Sequence, residues 1–221
     1  MAEKKLRLPK LVIFDMDGLL FDTETLFKRE KGIVMKKYGL TLTDEDYERT
    51  LGVCGAKLAE VLLEIYGPDY PAQTISKETR ARVTAEILKN GPPVKEGIPE
   101  LLEWLYERRI PCCVASSTQT ETVKAYIARG GFDRYFSCII GGDQVPASKP
   151  DPLIFLTACE KMKVPPADAL VLEDSENGVR AAINGGIPVI CIPDMARPAE
   201  DVLAQAAAVA DTASQVQGLF V

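Results

Sequence analysis

Two carboxylates, Asp15 and Asp17, directly follow a short apolar run near the start of the chain. The run, Leu11–Phe14, is rich in β-branched residues, which is typical of a buried strand in a parallel sheet. Gly18 then permits a turn at the strand end, where open α/β sheets bind ligands. One carboxylate there can attack while the other exchanges protons, provided that a cation keeps them in different protonation states. On its own, the tetrapeptide is more typical of an ordinary polar turn.

Three later apolar runs also end in polar residues. Ser116 and Ser117 could bind a phosphoryl oxygen through hydroxyl and backbone N–H groups. Lys149, in the proline-rich stretch 148–152, could neutralise a phosphate. Glu173 and Asp174, after 170–172, suggest a site for a hard cation. Singly, each stretch is also typical of a helix cap or a surface turn. Jointly, they predict a nucleophile, an acid/base, a cation and a metal site at one sheet edge.

The pattern of elements predicts how these residues are positioned. Residues 23–91 show only helical periodicity, whereas from residue 92 onward strands alternate with helices. We therefore expect an α/β fold with a doubly wound, Rossmann-like parallel sheet and an inserted all-α helical cap. The core domain is predicted to span 1–22 and 92–221, and the cap 23–91. Such an insertion lies over the ligand-binding edge of the sheet and can act as a lid. Residues 194–221 carry an Ala-rich helical signal.

Composition limits the classes of partner. The 221 residues are 47% apolar and 26% charged, which suits one large globular domain or one domain carrying a smaller insertion. A net charge of −6 argues against nucleic-acid or anionic-membrane binding. No apolar stretch is long enough to span a bilayer, and the basic start lacks the apolar segment of a secretory signal. We therefore expect a cytoplasmic protein.

Cysteine and histidine usage narrows the chemistry. The chain has six cysteines without a Cys-x-x-Cys motif, and it has no histidine. This pattern argues against a zinc site of the usual Cys/His kind and excludes histidine as a general base. Because several cysteines lie in apolar runs, we predict that they are small core residues in a reducing compartment.

The four polar stretches together resemble the motifs of the haloacid dehalogenase superfamily, and within it the branch of β-phosphoglucomutases and small-molecule phosphatases. They match in order and at similar spacing, at residues 14–24, 114–118, 148–152 and 172–178. The resemblance covers residues 10 to about 193 and includes a helical cap after the first motif. It implies Mg²⁺-dependent phosphoryl transfer to or from a small phosphorylated metabolite.

The resemblance also implies a role for each motif residue. Asp15 would be the nucleophile that becomes an aspartyl phosphate, and Asp17 would be the acid/base. Lys149 would balance the charge of Asp15 and the phosphate. Mg²⁺ would be bound by the Asp15 carboxylate, the Asp17 backbone carbonyl and Asp174, and Glu173 would support the ion through waters. Ser116 would bind a phosphoryl oxygen, and Ser117 would contribute to substrate binding.

The cap decides between two reactions. β-Phosphoglucomutases carry a His shortly after the first motif, where this chain has Phe27, and an Arg in the first cap loop, where it has Gly55. Lys57 could replace that Arg as a point charge, Arg80 could match another cationic cap residue, and Gly52 gives the loop backbone freedom. Since this is a weaker cationic anchor than a mutase needs, we favour hydrolysis of a sugar phosphate or a related phosphorylated alcohol. Because every expected site residue comes from one chain, we expect a monomer.

Three alternatives remain at this point. A phosphosugar mutase of the β-phosphoglucomutase type is the first. A catalytically silent binding protein on the same fold is the second, although every expected site residue is present. Dehalogenase chemistry is the third, and the presence of Asp17 argues against it.

Overall fold

A six-stranded parallel sheet forms the centre of the protein in a computed structural model that describes residues 5–51, 53 and 55–221. The strands are β1 Leu11–Phe14, β2 Cys112–Ser116, β3 Phe136–Gly141, β4 Ala169–Glu173, β5 Val189–Cys191 and β6 Ala208–Val209. Their spatial order is β3-β2-β1-β4-β5-β6, and every neighbouring pair is parallel. The predicted doubly wound α/β fold is therefore confirmed.

Helices account for most of the remaining chain. Between β1 and β2 come α1 Thr23–Lys37, α2 Asp44–Glu48, α3 Gly55–Tyr66, α4 Ala72–Asn90 and α5 Ile98–Glu107. After β2 come α6 Thr120–Gly130, α7 Leu153–Met162, α8 Glu176–Asn184 and α9 Glu200–Leu203. Short 3₁₀ helices lie at Asp133–Tyr135, Gly142–Gln144, Pro166–Asp168 and Ala213–Leu219. The helices α1 to α4, called the helical insertion below, occupy the place predicted for the cap.

Burial on both faces explains why β1 is apolar throughout. Val12 and Phe14 pack into one apolar cluster, while Leu11 and Ile13 pack into the cluster on the other face. All four residues are at most 1% exposed. Helices cover both faces, so each strand side chain has an apolar partner whichever way it points.

The helical insertion has an apolar centre of its own. Its buried members are Val34, Met35, Leu62, Tyr70 and Ile75. The two linkers that join it to the sheet run side by side, because the N–H of Asp22 donates to Pro93 O at 2.8 Å and the N–H of Lys95 donates to Leu20 O at 3.0 Å. The division into a core of 1–22 and 92–221 and a cap of 23–91 stays a prediction.

The C-terminal segment differs from its helical prediction. Only the four residues of α9 are α-helical there, and the chain then adds β6 to the sheet edge. The N–H of Ala207 donates to Val189 O at 2.8 Å, and that of Ala210 donates to Cys191 O at 2.9 Å. The open edge of β5 thus supplies partners that outweigh the helical preference of alanine.

The cysteines lie largely in the core, as predicted. Those at 112, 113, 138, 159 and 191 are free, and all but Cys138 are buried, whereas Cys54 lies outside the described residues. Burial raises the pKa of Cys191 to about 12, which keeps that thiol protonated and unreactive. Among the described residues, no helix is long and apolar enough to cross a membrane.

Candidate active site

The parallel sheet brings three of the predicted polar stretches to one edge. β1 lies between β2 and β4, with Phe14 opposite both Val114 and Leu172. Asp15 therefore leaves β1 beside Ser116, which ends β2, and beside Glu173, which ends β4. This adjacency follows from strand order alone, because the carboxyl ends of parallel strands share an edge.

Lys149 lies between two of these carboxylates. Its ammonium donates a hydrogen bond to Asp15 Oδ1 and another, at 2.6 Å, to Glu173 Oε1. The three side chains are 7%, 9% and 1% exposed, so water screens these charges little. Burial would lower the pKa of Lys149, but the charges of Asp15 and Glu173 outweigh it and raise that pKa above its usual value. Lys149 is therefore a fixed cation.

The same surroundings change the acidity of Asp15. Burial raises the pKa of Asp15 to about 7, against the opposing charge of Lys149, and the charges of Glu173 and Asp17 add to the rise. Without a further cation, Asp15 would thus be partly protonated near neutral pH. A nucleophilic carboxylate at this position needs more positive charge than Lys149 alone provides.

Glu173 is held rigidly rather than left open to the cavity. Its Oε2 accepts hydrogen bonds from the N–H of Ser175 at 2.8 Å and from the Ser175 hydroxyl at 3.0 Å. Gly178 leaves room for this carboxylate, since a Cβ at that position would lie 1.7 Å from Glu173 Oε1. Ser175 also caps α8 through the N–H of Gly178 at 3.1 Å. The N-cap of α8 therefore also holds the Glu173 carboxylate of the charged site in place.

Hydroxyl groups hold Asp17 on both carboxylate oxygens. Thr23 donates to Oδ1 at 2.8 Å, and Thr118 donates to Oδ2 at 2.8 Å. Ser116 lies 3.4 Å from Oδ2 and accepts the N–H of Thr118 at 3.1 Å, so its buried hydroxyl is engaged within the loop. Ser117 is exposed and lines the cavity above. The sequence analysis did not single out Thr118, although it belongs to the same hydroxyl-rich run.

Three carboxylates form a possible cation site. Asp15, Glu173 and Asp174 each offer an oxygen atom, and these atoms all lie within 4.8 Å of one another. Burial raises the pKa of Asp174 well above its usual value, and the charges of Glu173 and Asp15 add to the rise. Because three acids face a single lysine, the cluster has excess negative charge. An all-oxygen set of this kind fits Mg²⁺.

A cavity of about 970 Å³ separates this edge from the helical insertion. Of the predicted residues, Asp17, Ser117, Asp174 and Arg80 line it. The structure thus brings the acid/base candidate, one cation-site acid and one cap cation to a common space.

The two other predicted substrate-binding residues of the cap have no described contact with the cavity. Lys57 is 72% exposed and pairs with Glu60 at 3.3 Å, and it does not line the cavity. Gly52 lies outside the described residues. Their substrate contacts stay predictions without support from the geometry.

Among the polar cavity residues of the helical insertion that sequence reasoning missed are Glu24, Lys31 and Tyr47. The Tyr47 hydroxyl donates to Glu24 Oε2 at 3.1 Å, and Lys31 Nζ lies 5.5 Å from the centre of the Tyr47 ring. Lys31 is buried, which lowers its pKa, and within the described part of the chain its ammonium has no hydrogen-bond or ion-pair partner. Glu24 and Lys31 are seven residues apart on α1, a spacing that places both on one helix face.

Residues 12–192 match the family model described as haloacid dehalogenase-like hydrolase. The chain belongs to this family. A phosphorylated carbohydrates phosphatase of Thermotoga maritima is 36% identical, over 80% of this chain and 81% of its own length. A probable pseudouridine-5'-phosphatase of Drosophila melanogaster is 35% identical, over 88% of this chain and 86% of its own length.

Solved structures of the family agree with the fold. CbbY from Rhodobacter sphaeroides, in complex with xylulose-(1,5)-bisphosphate, superposes with a TM-score of 0.78 at 27% identity, covering 96% of this chain and 100% of that one. Together with the phosphatase names of the sequence relatives, these matches confirm a phosphoric monoester hydrolase of the haloacid dehalogenase family.

Proposed function

We propose that this hydrolase is a Mg²⁺-dependent phosphatase that cleaves a sugar phosphate or related phosphorylated alcohol through an aspartyl phosphate on Asp15. The observation that carries the proposal is the surroundings of Asp15. One Asp15 oxygen accepts a hydrogen bond from the ammonium of Lys149. Together with Glu173 and Asp174, Asp15 also forms a cation site made only of carboxylate oxygens. A carboxylate beside a lysine ammonium and a site for a metal cation is what attack on an anionic phosphate requires.

In the first step, an Asp15 oxygen attacks phosphorus, and the bond between phosphorus and the alcohol oxygen breaks. Asp17 donates a proton to the leaving oxygen, so the alcohol departs neutral. Thr23 and Thr118 fix the orientation of Asp17 for this transfer. Lys149 keeps its proton throughout and neutralises charge on Asp15 and the phosphoryl oxygens.

In the second step, Asp17, now ionised, accepts a proton from a water molecule. The water oxygen attacks phosphorus, the bond to Asp15 breaks, and inorganic phosphate leaves. Glu173 holds Lys149 in place through both steps, since its own oxygens are bonded to Lys149 and Ser175.

Asp15, Asp174 and the backbone carbonyl of Asp17 would hold the Mg²⁺ ion, with Glu173 supporting them. When bound, the ion supplies the positive charge that cancels repulsion between the carboxylates and the phosphate. Gly18 fits this arrangement, because a Cβ there would lie 2.3 Å from Asp174 Oδ2 and would push that ligand aside.

The choice of substrate class rests on the cavity and on the relatives. A volume of about 970 Å³ is at the upper end for small-molecule sites and accommodates a sugar or polyol beyond the phosphate. Relatives are named as phosphatases of phosphorylated carbohydrates, fructose 1-phosphate and glycerol 3-phosphate. Phe27 lines the cavity where the mutases carry a His, which favours hydrolysis. The cytoplasmic location and the monomeric state stay predictions.

The test is inorganic phosphate release from a panel of phosphorylated sugars, polyols and nucleosides, with Mg²⁺ and with EDTA. A coupled assay for glucose 6-phosphate from β-glucose 1-phosphate runs in parallel. We expect release with Mg²⁺, none with EDTA, and a ranking of substrates. Glucose 6-phosphate formation without phosphate release would instead establish a mutase. Inactivity in both assays would support a binding protein.

Mg²⁺ is expected to stabilise the protein more at pH 8 than at pH 5.5. Because the pKa of Asp15 is raised in the folded state to about 7, the metal-free fold binds a proton that the unfolded chain has already released at pH 5.5. The metal-free protein therefore loses folding stability as pH rises through 7. At low pH, protons compete with Mg²⁺ for the Asp15 carboxylate, so the ion stabilises the fold less. Thermal unfolding at both pH values, with Mg²⁺ and with EDTA, measures this. An equal rise in Tm at both would contradict it.

Lys31→Met is expected to raise KM about 10-fold for sugar bisphosphates and phosphorylated sugar acids, because a charged hydrogen bond to the second acidic group is lost. Glycerol phosphate, which has no second acidic group, should keep its KM. Lys28→Met is the matched control: Lys28 lies over the same Tyr47 ring at 5.3 Å, but it pairs with Asp44 at 3.0 Å and does not line the cavity. Equal KM changes in the two variants would contradict a specificity role for Lys31.

A further inference from the structure

Asp194 carries a buried carboxylate oxygen without a partner. Its side chain is only 10% exposed, and its Oδ1 accepts a hydrogen bond from Lys95 Nζ at 2.6 Å. Its Oδ2 is buried and has no hydrogen-bond partner among the residues that the structure describes. A charged oxygen left unpaired in this way is costly, and native proteins pair nearly all such atoms. A donor from outside the polypeptide would satisfy it.

The free oxygen lies beside the proposed cation site. The position that a Gly18 Cβ would take is 3.2 Å from Asp194 Oδ2 and 2.3 Å from Asp174 Oδ2. The two carboxylate oxygens therefore border the same small space, and both residues line the cavity. The absence of a side chain at Gly18 keeps this space open.

We propose that Asp194 is an outer ligand of the divalent cation: its Oδ2 accepts a hydrogen bond from a water molecule bound to an ion held by Asp15 and Asp174. The inference rests on the proposed Mg²⁺ site. Mg²⁺ retains several of its waters in protein sites, and these waters need acceptors. Asp194 is in this sense a positioning residue, since it acts on the ion through water.

Lys95 distinguishes this role from a purely structural one. The Lys95–Asp194 pair connects the linker after α4 to the loop after β5, so Asp194 could serve only as an anchor for that linker. An anchor would be lost equally by changing either partner. An acceptor for metal-bound water would be lost only by changing Asp194.

The experiment is isothermal titration with Mg²⁺, without substrate, of the wild type and of Asp194→Asn, Lys95→Met and Glu176→Gln. Asp194→Asn should raise the dissociation constant about 10-fold, the lower end of the usual effect of such outer partners. Lys95→Met should bind Mg²⁺ as tightly as the wild type or more tightly, since it removes a nearby positive charge. Glu176→Gln should match the wild type; Glu176 also lines the cavity, but its oxygens are bonded to Arg180 and to the N–H of Ala199.

An unchanged dissociation constant in Asp194→Asn would overturn the inference, as would equal weakening in Lys95→Met or Glu176→Gln. Should Asp194→Asn not fold, Asp194→Ser removes the same charge in a smaller side chain, and the same increase is expected. A wild-type protein that binds no Mg²⁺ would refute the metal site of the proposed function as well. If the wild type binds Mg²⁺ and substitution of Asp194 leaves the dissociation constant unchanged, only the role of Asp194 is refuted and the metal site stands.

Discussion

Asp15→Asn should reduce phosphate release by at least about 10⁴-fold on every substrate, because an amide cannot attack phosphorus and removal of a nucleophile typically has effects of this size. The loss should appear in kcat. The substituted side chain is nearly isosteric and keeps an oxygen that can accept from Lys149, so the fold should persist. Phosphate release at saturating substrate measures the loss, with mass spectrometry to exclude deamidation back to Asp.

A surface aspartate provides the control for this variant. Asp168 also pairs with a lysine, Lys10, at 3.0 Å, but the pair is exposed and lies just before β1 and β4, at the opposite end of these strands from Asp15 and Glu173. Asp168→Asn should retain wild-type kcat. Residual activity of Asp15→Asn within 10²-fold of the wild type would show that another group is the nucleophile, and equal losses in both variants would show a general effect on folding.

Lys149→Met should have a large effect on both catalysis and stability. The substitution leaves Asp15 and Glu173 buried without their common cation, and breaking a buried charge pair typically costs about 3–5 kcal/mol. Loss of the charge that neutralises the phosphate should also lower kcat by about 10²–10³-fold. Urea unfolding in EDTA and phosphate release with Mg²⁺ measure the two effects.

The stability loss in Lys149→Met should depend on pH. The charge of Lys149 opposes the rise in the pKa of Asp15, so its removal raises that pKa further. The folded variant then holds a proton that the unfolded chain releases near pH 4, and its stability falls as pH rises toward and beyond neutrality. The loss should therefore be larger at pH 8 than at pH 5.5.

Two lysine variants serve as controls for this experiment. Lys149→Arg keeps the charge and should recover most of the stability. Lys10→Met breaks an exposed pair and should cost less than about 1 kcal/mol. Similar costs for Lys149→Met and Lys10→Met would contradict the buried-cation account.

The fold and the sheet-edge chemistry were predictable because they depend on local pattern and strand order. An apolar run followed by acids, as at Asp15, indicates a strand end, and strands separated by helices indicate a parallel sheet whose ends meet. Glu173 could therefore be expected near Asp15 from strand order, and Lys149 from the motif resemblance. Their hydrogen bonds to one another could not, since these depend on side-chain orientation.

The missed residues depend on tertiary packing. Lys31 and Glu24 look like an ordinary polar helix face, and only the position of α1 over the sheet edge turns that face toward the cavity. Asp194 stands in a loop without a motif of its own. β6 was missed for a related reason, because its pairing with β5 is a long-range interaction that helix propensity cannot anticipate.

The paired linkers have a mechanical consequence. Two backbone hydrogen bonds tie the linkers together, so we expect any movement of the helical insertion to be a rotation about this point. Thr23 is the first residue of α1, immediately beyond that point, and its hydroxyl donates to Asp17. A rotation of the insertion large enough to displace Thr23 would therefore remove a hydrogen bond from Asp17, the proposed acid/base. If the insertion opens for substrate entry by such a rotation, Asp17 would lose this donor and regain it on closure, so that Asp17 would be fully oriented only while the substrate is enclosed.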